Sequence, residues 1–288
     1  MSRLAHRTVT FFEMIKVSHT LFALPFALGA AFLAARGLPD WSVLGKIVLA
    51  VLCARTAAMA CNRFVDRRID AANPRTQTRA LPRGDLSPMF VAGAAAAAAI
   101  GFLATAAWIN PLAFQLSPLA LLVVLGYSWT KRFTLWCHVV LGIALAIAPL
   151  GAWVAITDAL NSTTPWLVAA IVLTWTAGFD ILYACLDAEF DRAHGLRSIP
   201  ARLGVQIALR VSAALHFIMT LLLYLLWWQA ALGFVFLAAA FVVQLLLAYE
   251  HWLVRPSDLT RVNRAFFTVN GIVSVTLMAA MMLSVLRE

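Results

Sequence analysis

Charged side chains are scarce in this sequence. Lys, Arg, Asp and Glu together make up 12% of its 288 residues, and 63% of the residues are hydrophobic. Soluble domains carry roughly a quarter charged and about half apolar residues. The shortage of charge excludes an ordinary soluble globular protein, and it predicts an all-α polytopic membrane protein.

Cysteine is also rare and scattered. The four cysteines fall within or at the ends of separate apolar segments, as Cys53, Cys61, Cys137 and Cys185. None of them has the paired spacing of a zinc or redox site. We interpret them as small packing residues of a membrane bundle.

Apolar segments long enough to cross a bilayer, about 20 residues each, occur nine times. The first follows Arg3 and Arg7, as a secretory signal would. Its apolar stretch is longer than a signal core and no soluble domain follows it, so we expect it to be retained. We predict a single membrane domain over residues 1–288, with spans near 17–35, 43–62, 88–107, 112–129, 136–157, 165–186, 207–228, 231–250 and 266–286.

Positive charge is distributed unequally between the predicted loops. The net charge is +9, and most of the 22 Lys and Arg residues precede the first span or follow spans 2, 4, 6 and 8. Only Arg36, Lys46 and Arg287 lie on the opposite side, and Arg55 is inside the second span. This positive-inside pattern predicts a cytoplasmic N-terminus, cytoplasmic basic loops and an external C-terminus. The basic residues are therefore expected to face membrane lipid and cytoplasm, with no nucleic acid as a partner.

Acidic residues are few, yet six of the 13 fall in two short runs, each at the end of an apolar segment. Asn62, Asp66 and Asp70 are spaced four apart, so they share one face of a helix. Four spans separate this run from the next, which puts both runs on the cytoplasmic side. The second run contains Asp180, Tyr183, Asp187, Glu189 and Asp191.

Two carboxylate ladders beside basic loops indicate two metal ions and a phosphorylated substrate. Mg²⁺ prefers oxygen ligands and is usually held by one or two carboxylates together with substrate phosphates. Arg and Lys in the same loops would contact phosphate oxygens. The competing interpretation is a pair of salt-bridged loops, in which Asp66 and Asp70 pair with Arg67, Arg68 or Arg75.

The two runs and their surroundings resemble motifs of the UbiA superfamily of intramembrane prenyltransferases. Asn62-Arg63-x-x-Asp66-x-x-x-Asp70 is similar to the first signature, Asn-Asp-x-x-Asp-x-x-x-Asp, with Arg63 in place of the first Asp. Asp187-x-x-x-Asp191 is similar to the second signature. Three loop segments also match: Arg75-Thr76-x-x-Arg79-Ala80-Leu81-Pro82-x-Gly84, Tyr127-x-x-x-Lys131-Arg132 and Gly195-x-x-Ser198-x-Pro200.

The resemblance implies a fold, a reaction and a set of site residues. The family's fold is a ring of nine transmembrane helices around a central cavity that opens to lipid and is capped by the acidic loops. Its members transfer a polyprenyl group from an allylic diphosphate to an acceptor, usually an aromatic ring. Carried over by residue, the catalytic magnesium-diphosphate site comprises Asn62, Asp66, Asp70, Asp187 and Asp191, and the residues that contact the diphosphate are Arg79, Tyr127 and Lys131.

Arg55 is predicted to bind the acceptor. It lies seven residues before Asn62, so it is two turns deeper on the same helix face, where a charge is costly and usually functional. An arginine at this spacing in the family suits the acceptor's carboxylate, and the alternative is a pair with Asp180 or a carbonyl group. Asp180 and Tyr183 are expected to line the cavity below the diphosphate, and either Asp180 or a diphosphate oxygen would take the ring proton.

Arg63 and the run Arg79-Ala80-Leu81 resemble a subgroup labelled 4-hydroxybenzoate polyprenyltransferase. The resemblance therefore implies Mg²⁺-dependent prenylation of a 4-hydroxybenzoate-like ring in ubiquinone or menaquinone biosynthesis, at a bacterial inner membrane. A naphthoate-type acceptor in the futalosine route to menaquinone is the alternative. More remote alternatives are a CDP-alcohol phosphotransferase, whose signature needs an Asp-Gly and an Ala-Arg before the ladder, and a transporter, whose key charges lie near the midplane.

Overall fold

Helices form every element of regular secondary structure in the part of the chain that the computed structural model describes, which is residues 3–16, 20 and 22–286. Side chains are described from residue 7 onward within those ranges. A 3₁₀ turn, Cys185–Asp187, joins α8 to α9, and a π-helical turn, Ala265–Val269, joins α13 to α14. The α-helices are α1 (Arg3–Met14), α2 (Leu24–Ala35), α3 (Trp41–Ala72), α4 (Ala80–Arg83), α5 (Pro88–Ile109), α6 (Pro111–Thr130), α7 (Cys137–Thr157), α8 (Thr164–Ala184), α9 (Ala188–Ala193), α10 (Ile199–Leu203), α11 (Val205–Gln229), α12 (Phe234–Leu253), α13 (Val262–Arg264) and α14 (Asn270–Leu286).

Helix boundaries follow local capping signals. Asp40 begins α3 by accepting hydrogen bonds from the N–H groups of Ser42 and Val43, at 2.7 and 3.3 Å. Ser87 and Asn110 cap α5 and α6 in the same way, and each is followed by a proline. An oxygen at this position satisfies a free helical N–H group, and proline at the first helical position loses no hydrogen bond. Local chemistry therefore sets where these helices begin.

Eight of the predicted spans correspond to helices that are long and apolar enough to cross a membrane, counted over the described residues. The first predicted span does not reach that length. Its helix, α2, has 12 residues, which is about 18 Å at 1.5 Å per residue and short of the roughly 30 Å apolar core. Residues 17–19 and 21 lie outside the described part. The prediction of nine full-length spans is therefore not reproduced by the described chain.

The helix α3 is longer than predicted and carries the first acidic run. The predicted span ended at residue 62, whereas the helix continues to Ala72. Its 32 residues extend about 48 Å, so the last turns extend beyond an apolar core. Arg55, Asn62, Asp66 and Asp70 therefore lie on one continuous helix.

The spanning helices pack in a closed order. α3 packs on α5, which is followed by α6, α7, α8, α11, α12, α14 and α2, and α2 returns to α3. The predicted ring is confirmed, and α2 is its short ninth member. α2 also packs against α7 across the inside of the ring.

The apolar core occupies one half of this ring. Trp175 of α8, Phe26 of α2 and Phe236 of α12 are almost completely buried there, together with apolar side chains of α11 and α14. Phe26 and Trp175 are in ring contact, with their centroids 5.0 Å apart. The other half of the ring, bounded by α3, α5, α6 and α7, is not filled in this way and contains the cavity described next.

Candidate active site

A cavity of about 440 Å³ lies between α3, α5, α6 and α7. Its wall consists mainly of Ala, Val, Leu, Ile and Phe side chains, and its polar members include Arg55, Ser117 and Tyr127. The volume is within the roughly 300–1,000 Å³ of small-molecule sites. The cavity therefore suits an apolar ligand with a polar group near Arg55 and Tyr127.

Arg55 faces this cavity and donates a hydrogen bond from Nη2 to the carbonyl oxygen of Lys16, at 3.2 Å. Of the two alternative partners, the structure shows the carbonyl group and not Asp180, whose carboxylate is hydrogen-bonded to His138 at 2.7 Å. A guanidinium has five N–H groups in a planar fork. One carbonyl contact therefore leaves Arg55 able to bind a carboxylate in the cavity.

Asp180 and Tyr183 are absent from the described residues that line this cavity, contrary to the expectation from sequence. Asp180 is drawn toward His138. The Tyr183 ring lies 4.3 Å from the ring of Phe266, and its hydroxyl accepts a hydrogen bond from Arg75 at 2.9 Å. Contacts to other helices, which sequence spacing does not reveal, orient both side chains.

Asp66 is buried within a set of donors from α3 and from the end of α6. Lys131 Nζ lies 3.0 Å from Asp66 Oδ2, and Arg132 Nη2 lies 3.2 Å from Oδ1. Asn62 Nδ2 also donates to Oδ2, at 3.2 Å. The Asp66 residue is 3% exposed, and burial of such a charge requires pairing and hydrogen bonding. Tyr127 lies on the wall of the adjacent cavity.

Asp70, one helical turn further along α3, is paired with Arg79. Arg79 Nη1 lies 2.8 Å from both Asp70 oxygens. The salt-bridge interpretation had named Arg67, Arg68 and Arg75 as partners of the first acidic run. Arg67 instead donates to the backbone carbonyl of Phe64. Residues further along the chain neutralise the first run.

The second acidic run also has polar partners. Asp187 is paired with Arg75, whose Nε donates to Oδ1 at 2.8 Å, and accepts a hydrogen bond from Asn73 Nδ2 at 2.9 Å. Asp191 is buried and accepts from the hydroxyl of Ser198 at 3.0 Å. Burial lowers the pKa of Arg75, but its hydrogen bond and charge interaction with Asp187 outweigh this effect and raise the pKa above its ordinary value.

The two acidic runs meet at one end of the ring, as predicted. Asn73, immediately after α3, reaches Asp187 directly. Lys131 is 3.0 Å from Asp66 and also interacts electrostatically with Asp187 and Asp191. We use the name charged cluster for the carboxylates Asp66, Asp70, Asp187 and Asp191 together with the cations Arg75, Arg79, Lys131 and Arg132.

The charged cluster fits magnesium and a diphosphate by the chemistry of its donors. Carboxylate oxygens are the ligands that Mg²⁺ prefers, and guanidinium and ammonium groups bind phosphate oxygens. Within the described residues, no group of three or more His, Cys, Asp or Glu side chains is arranged to hold a metal.

Sequence reasoning missed three residues that this geometry brings to the site, namely Asn73, Arg132 and His138. Asn73 follows the acidic ladder directly, and Arg132 belongs to a quoted motif, so both carried a local signal. His138 had none, because its contact with Asp180 joins two helices. Arg63, which departs from the signature, is buried and donates to the Asn62 side chain and to the backbone of Met14. Its charge also interacts with Asp66 and Asp70.

Comparison with known proteins identifies the relatives of this chain. Residues 23–272 match the UbiA prenyltransferase family. The 4-hydroxybenzoate octaprenyltransferase of Saccharophagus degradans is 32% identical over 249 residues, covering 85% of this chain and 81% of that protein. The apo structure of a UbiA homologue from Aeropyrum pernix K1 is 34% identical, covers 93% of this chain and 98% of that one, and has a TM-score of 0.84. A UbiA homologue from Archaeoglobus fulgidus bound to GPP and Mg²⁺ has the same fold, with 20% identity, 96% and 99% coverage and a TM-score of 0.75. This chain belongs to the UbiA prenyltransferase family.

Proposed function

We propose that this protein transfers a polyprenyl group from an allylic polyprenyl diphosphate to a 4-hydroxybenzoate-like aromatic ring. The observation that carries the proposal is that one helix, α3, connects an apolar cavity to the charged cluster. Arg55 lies on the cavity wall, and Asp66 lies in the cluster, about three turns further along the helix. This arrangement suits a ligand with a long apolar tail and a diphosphate head beside an acceptor that carries a carboxylate.

The named relatives support the same reaction. The Saccharophagus degradans protein is named for octaprenyl transfer to 4-hydroxybenzoate, and it matches this chain over most of both lengths. Family membership also argues against the CDP-alcohol phosphotransferase and transporter alternatives. The place of the reaction in ubiquinone or menaquinone biosynthesis follows from the acceptor and remains part of the proposal.

Asp66, Asp70, Asp187 and Asp191, with Asn62, would hold magnesium against the diphosphate. Bound magnesium supplies the Lewis acid that makes the diphosphate a better leaving group. Other residues of the cluster act on the diphosphate itself. The residues that would bind phosphate oxygens are the cations beside these carboxylates, namely Arg75, Arg79, Lys131 and Arg132.

The apolar cavity protects the allylic cation that remains when the diphosphate leaves. Water would trap this cation as a prenol, and the wall of aliphatic side chains excludes water from it. Arg55 would bind the acceptor's carboxylate through its planar guanidinium fork and so hold the ring against the cation. The ring proton then passes to Asp180 or to a diphosphate oxygen.

We also propose a bacterial inner membrane location with the charged cluster on the cytoplasmic side. The distribution of Lys and Arg between the loops supports this orientation. Water-soluble aromatic acceptors and magnesium would reach the cluster from the cytoplasm. The prenyl tail would enter sideways from the lipid.

The test is a transfer assay with purified protein in lipid nanodiscs, magnesium and polyprenyl diphosphates of several lengths. Acceptors are 4-hydroxybenzoate, a dihydroxynaphthoate and benzoate, which shares the carboxylate but lacks the activating hydroxyl. We expect a C-prenylated 4-hydroxybenzoate, detected by mass spectrometry, and no product with benzoate. Prenylation of the naphthoate alone would replace the proposed acceptor, and no product with any ring would overturn the proposal.

A further inference from the structure

We propose that His138 is a positioning residue for this reaction, holding the Asp180 carboxylate ionised and in one orientation. The inference rests on the proposed function, in which Asp180 serves the acceptor ring. His138 is the second residue of α7 and lies in neither acidic run nor in a quoted motif. It is 2% exposed, while the Asp180 side chain is 25% exposed.

The hydrogen bond between the two side chains is short. His138 Nδ1 lies 2.7 Å from Asp180 Oδ2, whereas neutral N–H···O bonds are usually about 2.9–3.0 Å long. Bonds to an ionised acceptor fall near 2.7–2.9 Å. The distance therefore fits a donor N–H on the histidine and a carboxylate on Asp180.

The other ring nitrogen fixes which atom carries the hydrogen. The backbone N–H of Ile199 donates to His138 Nε2 at 3.3 Å. A ring nitrogen that accepts a hydrogen bond carries no hydrogen, so the hydrogen of the neutral ring is on Nδ1. Ile199 is the first residue of α10, where an N–H group lacks a partner within its own helix. The end of α10 thus holds His138 as a donor toward Asp180.

The remaining oxygen of Asp180 is available to a ligand. Within the described residues, Asp180 Oδ1 accepts no hydrogen bond, and the side chain is only partly covered. Asp180 lies seven residues before Asp187, or about two helical turns, and Arg55 lies the same number before Asn62. Asp180 and Arg55 therefore occupy similar depths below the two acidic runs. Only Arg55 lines the apolar cavity, so Asp180 would act on the acceptor ring from beyond the cavity wall, through its uncovered oxygen.

His138 also connects Asp180 to the segment that holds Asp191. Ser198, the residue before Ile199, donates to Asp191. This segment has independent anchors, because Arg197 donates through its backbone N–H to the Lys131 carbonyl at 2.6 Å and through its guanidinium to the Phe133 carbonyl at 2.9 Å. Loss of the single Ile199 contact should therefore leave the segment in place.

Two substitutions separate the two bonds of His138. In His138→Asn, the amide nitrogen takes the place of Nδ1, so the donor to Asp180 is kept and the acceptor for Ile199 is lost. In His138→Gln, the amide oxygen takes the place of Nε2, so the acceptor for Ile199 is kept and the donor to Asp180 is lost. The pair changes volume little and serves as its own matched control.

We expect His138→Gln to lower kcat for acceptor prenylation about 10- to 100-fold, as loss of a supporting hydrogen bond does, with the KM for polyprenyl diphosphate unchanged. The kcat of His138→Asn should stay within about threefold of the wild-type value, since this variant keeps the hydrogen bond to Asp180. Thermal unfolding in detergent checks that both variants fold. Equal losses in the two variants, or wild-type kcat in His138→Gln, would overturn the inference.

A double variant tests whether His138 acts through Asp180. In an Asp180→Asn background, His138→Gln should cause little further loss, because residues that act as a unit are not additive. A full additional loss would show that His138 acts elsewhere and would overturn the inference while leaving the proposed function intact. Absence of any acceptor prenylation by the wild-type protein would overturn both.

Discussion

At the scale of single residues, the acids of the charged cluster are partnered by side chains that arrive from other parts of the chain. Asp66 meets Lys131, which directly follows α6, and Asp187 meets Arg75 from the loop after α3. A buried charge whose partner is removed costs roughly 3–5 kcal/mol. The cations therefore allow the acids to be buried before any ligand binds, and they are already in place for a diphosphate.

Replacing Asp66 or Asp191 with Asn should abolish most turnover. Each substitution keeps the size of the side chain but removes the charge that would hold magnesium. The double variant should be little worse than the poorer single variant, because both sides of the site are needed for one step. Turnover measured over a range of magnesium concentrations checks this.

Asp85→Asn is the control for that experiment. Asp85 forms an exposed ion pair with Arg83 in the loop beside the cluster, and such pairs contribute about 1 kcal/mol or less. Its turnover should equal that of wild type. Full activity of Asp66→Asn or Asp191→Asn at ordinary magnesium would leave the acids as structural ion pairs.

Arg55→Ala should lower kcat/KM for the acceptor about 10- to 100-fold, equivalent to roughly 1.5–3 kcal/mol for one hydrogen bond to a charged group. The KM for polyprenyl diphosphate should change little, because Arg55 lies two turns from the acidic run. Arg68→Ala, which removes an exposed arginine from the same helix, is the control. Equal losses toward both substrates would indicate a structural role for Arg55.

At the scale of helices, close approach depends on small residues where two backbones meet. A Cβ at Gly142 of α7 would lie 2.6 Å from the carbonyl oxygen of Leu173 in α8. Glycine permits this approach, and small residues at helix contacts serve the same purpose in membranes generally. The contact holds α7, on the cavity side, against α8, which carries Asp180.

Gly142→Ala should lower the stability of the protein by about 1–3 kcal/mol, the usual cost of overpacking. Gly126→Ala is the matched control, since a Cβ there meets nothing within 4 Å. Alanine is also the better helix former, so the melting temperature of the control should stay level or rise. Thermal unfolding in detergent measures both, and a Gly142→Ala variant as stable as the control would contradict the close-packing account.

At the scale of the whole molecule, the N-terminal helix lies at the same end of the ring as the charged cluster. Phe11 of α1 packs against Phe90 at the start of α5, with ring centroids 5.8 Å apart. Phe11 also belongs to the same apolar cluster as Leu81 of α4. Lys16 then reaches the depth of Arg55. Arg55 is therefore contacted from the segment that precedes α2.

Reporter fusions should place the N-terminus and the 73–85 loop on the cytoplasmic side and the C-terminus outside. Seven long helices separate the 73–85 loop from the C-terminus, an odd number of crossings. The N-terminal reporter tests whether α2 crosses the membrane. If α2 and α3 both cross, the N-terminus and the 73–85 loop lie on the same side. An N-terminal reporter on the opposite side from the loop would mean that α2 does not cross.

Much of the site was predictable, but its pairings were not. Asn62, Asp66 and Asp70 share a helix, so spacing alone places them on one face. Ion pairs such as that of Asp70 with Arg79 depend on how the loop after α3 folds back. The spacing of residues in the sequence does not reveal that conformation. The expected position of Asp180 on the cavity wall failed for the same reason, because its partner His138 belongs to another helix.

The sequence by itself determined the membrane class, the positions of eight spanning helices and the two acidic runs. Composition, apolar length and helical spacing act within one segment, so these features need no knowledge of neighbouring helices. The tertiary structure alone decided that α2 is short, which cations neutralise which acids, where the cavity lies and that His138 holds Asp180. Each of these depends on contacts between segments distant in the chain, and packing in three dimensions brings those segments together.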